Sequence, residues 1–80
     1  MSEFVATFHT HLSAMLSFQT LQKLGCTAKM QPVPRALSSS CGTCVRFSAE
    51  TDCRDLLDTD AEALYAVENG TYRLLWQNED

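Results

Sequence analysis

With 80 residues, 45% of them hydrophobic, the chain has the size and composition of one small globular domain, and we expect a single domain over residues 1–80. The formal net charge of −4 argues against nucleic-acid binding, because phosphate recognition requires a basic surface. No apolar run approaches the ~20 residues of a membrane-spanning helix and no basic segment typical of a secretory signal opens the chain, so we expect a cytoplasmic protein whose four cysteines are free thiols.

The first part of the chain predicts a strand, a helix and a second strand. Residues 3–8 alternate with the period of a strand, and neither face is strongly polar. Thr10 can cap a helix that ends at Gly25. The apolar positions at helical spacing, which we expect to pack on a sheet, are Leu12, Met15, Leu16, Phe18, Leu21 and Leu24. Residues 27–31 alternate again and predict a half-exposed strand, which Pro32 ends because proline cannot donate to a ladder.

A polar loop and a third strand follow. Residues 32–40 contain two prolines and three consecutive serines, a composition typical of a loop with a defined conformation. Residues 44–47 then alternate between an apolar face directed inward and a face directed away from the core. Cys44 belongs to the second face, so we expect it to remain available to Cys41.

The last third of the chain predicts a second helix and a hairpin. Capping and acidic side chains over residues 48–52 favour the start of a helix that runs to about Thr59. The apolar runs 64–67 and 72–76 flank Asn69-Gly70, a strong turn dipeptide, which predicts a fourth strand followed by either a hairpin partner or a packed tail. The polar residues that remain at the end of the chain, 77–80, are expected to fray.

The order of these elements predicts the fold class. Strand, helix, strand, strand, helix, strand is the βαββαβ order of a ferredoxin-like α+β sandwich, an antiparallel sheet with two helices on one face. In such a sheet we expect the first and third strands to run parallel.

Cys41 is the candidate reactive residue. A thiolate is favoured where hydroxyls, backbone N–H groups and cations surround a sulfur that water can reach. The groups near Cys41 in sequence that could supply this environment or contact a substrate are Arg35, Ser39, Ser40, Gly42 and Arg46. The alternative is that Cys41 is a small buried side chain at the entrance of a strand, as free cysteines often are.

The chain also resembles a known family. The segments that carry the resemblance are Ala6-Thr7-Phe8-His9-Thr10, Pro32-Val33-Pro34-Arg35, Leu37-Ser38-Ser39-Ser40-Cys41-Gly42 and Val45-Arg46-Phe47. Together they are similar to the small bacterial proteins of the DUF3343 family, described as selenium or sulfur carrier protein-like, over about residues 4–72.

The resemblance implies a function and a role for several residues. It makes Cys41 the cysteine that would hold sulfur or selenium as a persulfide or selenosulfide, received from a donor protein and passed to an acceptor protein. It also gives His9 a role in contacting substrate or partner. Cys44 stands where an apolar residue is expected in relatives, and this departure leaves open whether the protein adds dithiol chemistry.

Two other chemistries use the same cysteines. The C-x-x-C spacing of Cys41 and Cys44 allows a redox pair, in which one thiol attacks and the other resolves, although such pairs usually begin a helix and this motif enters a strand. His9 and His11 could complete four zinc ligands with the two cysteines. Parallel first and third strands would separate the histidines from the cysteines by about 15 Å, so we expect no metal site.

The remaining alternative is a non-catalytic interaction module. In it, the loop over residues 32–41 would be a docking surface and the thiol of Cys41 would be incidental. The resemblance implies a carrier rather than a turnover enzyme, with donor and acceptor proteins as partners, and we expect no cofactor. A homodimer stays open, because a chain this small often gains from a second copy. We expect Cys26 and Cys53 to be packing residues.

Overall fold

Five strands and one α-helix make up residues 1–78, the part of the chain that the computed structural model describes. The strands are β1 (Ser2–Phe8), β2 (Thr27–Pro32), β3 (Thr43–Ala49), β4 (Ala61–Glu68) and β5 (Thr71–Gln77), and helix α1 spans His11–Lys23. They form one sheet in the order β2-β3-β1-β4-β5, in which every neighbouring pair is antiparallel. The α+β class and the antiparallel sheet are therefore confirmed.

Helix α1 forms where the sequence predicts it. The Thr10 side chain accepts a hydrogen bond from the Ser13 N–H at 3.1 Å and caps the helix. Gly25 follows its end with a φ of 85°, a conformation that side chains on the α-carbon disfavour. Since β1 and β2 both pair antiparallel with β3, they run parallel to each other and α1 connects them across one face of the sheet.

The core lies between this helix and the sheet. It is built from alternating residues of β1, β3 and β4 together with α1, and its larger members are Phe4, Phe8, Leu21, Val45, Phe47 and Leu64. The rings of Phe4 and Phe47 pack with centroids 5.4 Å apart across the β1–β3 pair. Cross-strand packing of this kind fixes the register, because a slip of one residue would turn the apolar side chains to the other face.

The side of α1 that packs on the sheet differs from the predicted apolar stripe. Ser13, Ala14, Ser17 and Leu21 are buried, whereas Leu12, Leu16 and Leu24 are exposed. The cause lies 45 residues away in sequence: Ser13 Oγ donates to Asp58 Oδ2 at 2.8 Å, and the Asp58 N–H donates to Ser17 Oγ at 2.8 Å. Small hydroxyl side chains with these partners let α1 approach the segment before β4 closely.

The predicted second helix is absent from residues 1–78, so the ferredoxin-like two-helix sandwich is wrong. Residues that looked like helix caps continue β3 instead, since Ser48 and Ala49 pair with β1. Cys53 then adopts a left-handed conformation, with a φ of 55°, and only a short 3₁₀ helix over Arg54–Leu56 follows. Strand pairing has overridden local capping preference.

The hairpin at the end of the chain is confirmed. Asn69 and Gly70 both have positive φ, as a tight turn between antiparallel strands requires, and they bring β5 against β4. The prediction that the chain frays from residue 77 is wrong for Gln77 and Asn78. Gln77 ends β5, and the Asn78 N–H donates to Glu62 O at 2.8 Å. Residues 79–80 lie outside the described residues.

The direction of β3 also differs from expectation. Strands β1 and β3 are antiparallel, with Thr7 opposite Cys44, so the expected parallel pair is wrong. The end of β1 and the start of β3 therefore lie at the same edge of the sheet.

Within residues 1–78, no helix has both the length and the apolar character needed to cross a membrane.

Replacing Leu21 with Ala should lower the free energy of unfolding by about 2–5 kcal/mol, because it leaves a cavity under α1. The matched variant Leu12→Ala, in the same helix but 58% exposed, should change it by less than about 0.5 kcal/mol. Urea unfolding of the three proteins measures both values. Equal losses in the two variants would mean that the helix packs through the stripe with Leu12.

Candidate functional site

The polar segment between β2 and β3, residues 33–42, forms the cysteine loop. Its ends are joined by a hydrogen bond from the Val33 N–H to Gly42 O at 3.2 Å, and the Leu37 N–H closes a turn on Pro34 O at 3.0 Å. Gly42 has a φ of 75°, which allows the chain to turn sharply from the loop into β3. This turn directly follows Cys41 and sets its position at the edge of the sheet.

Glu62, on β4, holds the cysteine loop to the sheet. Its Oε1 accepts from Ser39 Oγ at 2.8 Å and from the Ser40 N–H at 3.1 Å, and its Oε2 accepts from Ser40 Oγ at 2.7 Å. His9 Nδ1 lies 3.3 Å from the same Oε2. One carboxylate therefore connects the end of β1, the start of β4 and the loop before Cys41. The sequence contains a signal for it, a single charged residue within the otherwise apolar run 61–66.

The environment of Glu62 keeps it ionised. Partial burial alone would raise the pKa of this carboxyl, but the hydrogen bonds from Ser40 and Ser39 and the nearby His9 outweigh burial, and the pKa lies below its ordinary value. An ionised carboxylate only accepts hydrogen bonds, so both serine hydroxyls donate to it. Ser39 Oγ also lies 2.8 Å from Phe8 O, a second acceptor for its single hydrogen.

Cys41 is half-buried beside this network. Its Sγ donates to Thr43 O at 3.4 Å and lies 4.0 Å from Ser39 Oγ. One side of the residue packs against the core and the other faces solvent. His11 Nδ1 is 3.4 Å from Thr43 Oγ1, so the start of α1 also borders the entrance of β3. A thiol in this position is held in place yet accessible to a reagent.

Cys44 occupies a different environment. It lies on the face of β3 opposite Val45, as predicted, and it is fully buried from solvent. Its Sγ donates to Pro32 O at 3.7 Å. Burial raises the pKa of the Cys44 thiol, although Gln31 and Arg46 act in the opposite direction. A buried thiol with a raised pKa forms the reactive thiolate less readily.

The two arginines near Cys41 in sequence are separated by the structure. Arg35 is exposed on the cysteine loop. Arg46 forms an ion pair with Glu3, farther along β3 and on the same face as Cys44. Only Arg35 thus belongs to the same loop as Cys41.

The histidines lie closer to the cysteine loop than parallel strands would have allowed, and the expected separation of about 15 Å is wrong. His9 contacts Glu62 and His11 contacts Thr43, both at the edge of the sheet that carries Cys41. Across residues 1–78, however, no three His, Cys, Asp or Glu side chains are placed to hold a metal ion together. The four side chains considered for zinc are not gathered into one site.

Sheet and loop together define a small α+β domain that presents a half-buried cysteine on a loop held by a strand carboxylate. The chain belongs to the family described as "Putative Se/S carrier protein-like", whose model matches residues 3–68. It is 25% identical over 77 residues to the uncharacterized protein YtiA of Escherichia coli (strain K12), an alignment that covers 94% of this chain and 91% of that protein. No solved structure matches the chain. The family resemblance inferred from the sequence is confirmed.

Replacing Glu62 with Gln should lower the free energy of unfolding at pH 7 by about 1–3 kcal/mol, because an amide loses charge-assisted hydrogen bonds from the loop. The folded-state pKa of Glu62 lies below the ordinary 4.5. Its stabilising contribution is therefore complete above that value and is lost as the pH falls through the folded-state pKa. Urea unfolding at a series of pH values should show the two proteins converging in acid.

The variant Glu68→Gln is the matched control for this comparison, since Glu68 pairs with the exposed Arg73 at the other end of β4. It should leave the free energy of unfolding at pH 7 almost unchanged, because this ion pair is exposed to solvent. A difference between wild type and Glu62→Gln that stays constant down to strongly acidic pH would contradict the proposed role of the ionised carboxylate.

Proposed function

We propose that this protein carries sulfur or selenium covalently on Cys41, as a persulfide or selenosulfide, and passes it to an acceptor protein. Membership of the carrier-like family supports the class of function. The observation that carries the assignment to Cys41 is its position: the residue is only half-buried, and the Gly42 turn and the bonds of the loop to Glu62 set it at the edge of the sheet.

The chemistry of loading needs one accessible thiol. The thiolate of Cys41 attacks the outer sulfur of a persulfide on the donor protein, a bond forms between the two sulfurs, and the donor leaves as a thiolate that takes up a proton. The oxidation state of the transferred sulfur does not change, so the step needs no separate oxidant. In unloading, a thiolate of the acceptor attacks the same outer atom and Cys41 is released.

The residues around Cys41 divide into those that position the loop and those that face a partner. Ser39 and Ser40 donate their hydroxyls to Glu62, which supports a role in holding the loop. Gly42 provides the turn into β3. His9 and Arg35 are exposed at this edge and on this loop, and they are the basic side chains that an approaching donor or acceptor would meet.

Cys44 has a different role in this proposal. A second thiol beside a persulfide can attack it and release sulfide prematurely. Burial of Cys44 and its donation to Pro32 O oppose that attack. We infer that Cys44 packs the outer face of β3 and takes no part in transfer, which separates the carrier from a C-x-x-C redox protein.

Incubating the protein with a cysteine desulfurase and cysteine, or with a selenocysteine lyase and selenocysteine, should add the mass of one sulfur or one selenium atom per chain. Cys41→Ser should gain nothing, because it removes the accepting thiol. Intact-mass spectrometry without reductant measures both. A Cys41→Ser protein that still gains the atom would contradict the assignment. Absence of any adduct on the wild type would contradict the carrier function and favour the non-catalytic interaction module.

Cys44→Ala should load to the same extent as the wild type or to a greater extent, because the replaced thiol is buried and could only discharge the persulfide. The measurement is the fraction of loaded chains by intact mass, followed over time. Loss of loading in this variant, together with a bond between Cys41 and Cys44 in the wild type, would instead identify a dithiol redox pair.

A further inference from the structure

Two leucines on the solvent side of α1 are exposed. Leu12 and Leu16, which are 58% and 42% exposed, lie one turn apart and form a stripe beside the buried Ser13 and Ser17. The same helix packs on β1, β2 and β3 through its buried residues, among them Leu21. A helix with apolar residues on both sides is normally covered on both sides, so the stripe indicates a contact surface.

The exposed stripe lies next to a groove. Ser13 and Ser17 each form a hydrogen bond of 2.8 Å with Asp58, so the segment before β4 runs alongside α1. This segment and the end of β5 line a groove of about 330 Å³. Leu56, in the 3₁₀ helix that contacts α1, is 38% exposed. The apolar side chains of the stripe, the 3₁₀ helix and the groove together form the helix-side patch: Leu12, Leu16, Leu56, Leu57 and Trp76.

The charges around the helix-side patch are complementary to those of α1. The helix contains no carboxylate, and its Lys23 is exposed and forms no ion pair within residues 1–78. The neighbouring segment 50–60 carries five carboxylates and one arginine. Its Asp55 and Asp60 are exposed, and the ion pairs of the described residues include neither. The helix of one copy of the chain therefore suits the acidic segment of another.

We propose that the helix-side patch pairs two copies of this chain in a symmetric dimer, with their α1 helices antiparallel and crossing at Leu16. The leucine stripe of each copy lies against the groove of the other. Antiparallel helices also bring Lys23 of each copy to the start of the other α1. Asp60 lies at that end, since its carbonyl accepts from the His9 N–H at 3.1 Å. Each contact occurs twice, as two-fold symmetry requires.

The small size of the helix-side patch makes the dimer weak and reversible. A stable interface uses about 20–30 residues on each side, many more than this patch provides. At the low concentrations of an unfolding experiment the chain is monomeric, and the small effect expected for Leu12→Ala applies to that state. Cys41 is not part of the patch, so the dimer does not depend on the proposed carrier function.

Sedimentation equilibrium of the full chain with reductant, from about 10 μM to about 1 mM, should show a reversible equilibrium between monomer and dimer. Leu16→Lys should raise the dissociation constant more than about tenfold, because it places a charge in an apolar contact. Leu74→Lys is the matched control: Leu74 is 49% exposed but lies on the face of the sheet opposite α1. This control should form dimers like the wild type.

A charge exchange tests the antiparallel arrangement and does not depend on the folding of Leu16→Lys. Lys23→Glu should weaken the dimer several-fold, because it replaces attraction to Asp60 with repulsion. Adding Asp60→Lys to Lys23→Glu should restore the affinity. A double variant that binds no better than Lys23→Glu alone would overturn the arrangement.

Three other outcomes would overturn the dimer itself. They are a monomeric mass at every concentration, a dimer that Leu16→Lys and Leu74→Lys weaken equally, and a dimer that forms only without reductant. The first would assign the helix-side patch to a different protein, and the last would indicate a disulfide between copies. Leu16→Lys should still accept sulfur or selenium on Cys41, and Cys41→Ser should still form dimers, so the two proposals can fail separately.

Discussion

The antiparallel pairing of β1 with β3 is the constraint on which the site depends. Because Thr7 lies opposite Cys44, the end of the first strand and the beginning of the third meet at one edge of the sheet. Strand β4 pairs with the other side of β1 and adds Glu62 to the same edge. With the opposite direction of β3, the cysteine loop would enter the sheet a strand length from His9, and the carboxylate could not reach its serines.

A single ionised side chain converts this placement into a fixed loop. Glu62 accepts hydrogen bonds from two consecutive serines and contacts His9, so a polar segment that has no core of its own is attached to two strands. Charge-assisted hydrogen bonds are shorter and stronger than neutral ones, which suits them to order a loop that must remain at the surface. The loop can thus keep Cys41 half-exposed without losing its position.

Sequence patterns predicted those parts of the molecule that local chemistry determines. The period of β1, the Thr10 cap and the Asn69-Gly70 turn each depend on neighbouring residues, and so does the set of motifs that identified the family. The prediction of a second helix was wrong because Ser48 pairs with β1, across 45 positions of sequence, and this pairing outweighs the tendency of Ser48 to cap a helix. The role of Glu62 could not be predicted for the same reason, since it depends on partners distant in sequence.

Pro32, the last residue of the edge strand β2, restricts how another protein can approach Cys41. The N–H of the next residue, Val33, points toward β3 and donates to Gly42 O. Because successive N–H groups of a strand point to opposite sides, any other residue at position 32 would direct its N–H away from the sheet, toward an incoming strand. Proline has none, and an exposed edge without that donor is a poor template for sheet extension. A partner protein that binds beside the cysteine loop must therefore be recognised through its side chains and surface shape. It can dissociate without breaking backbone hydrogen bonds between strands.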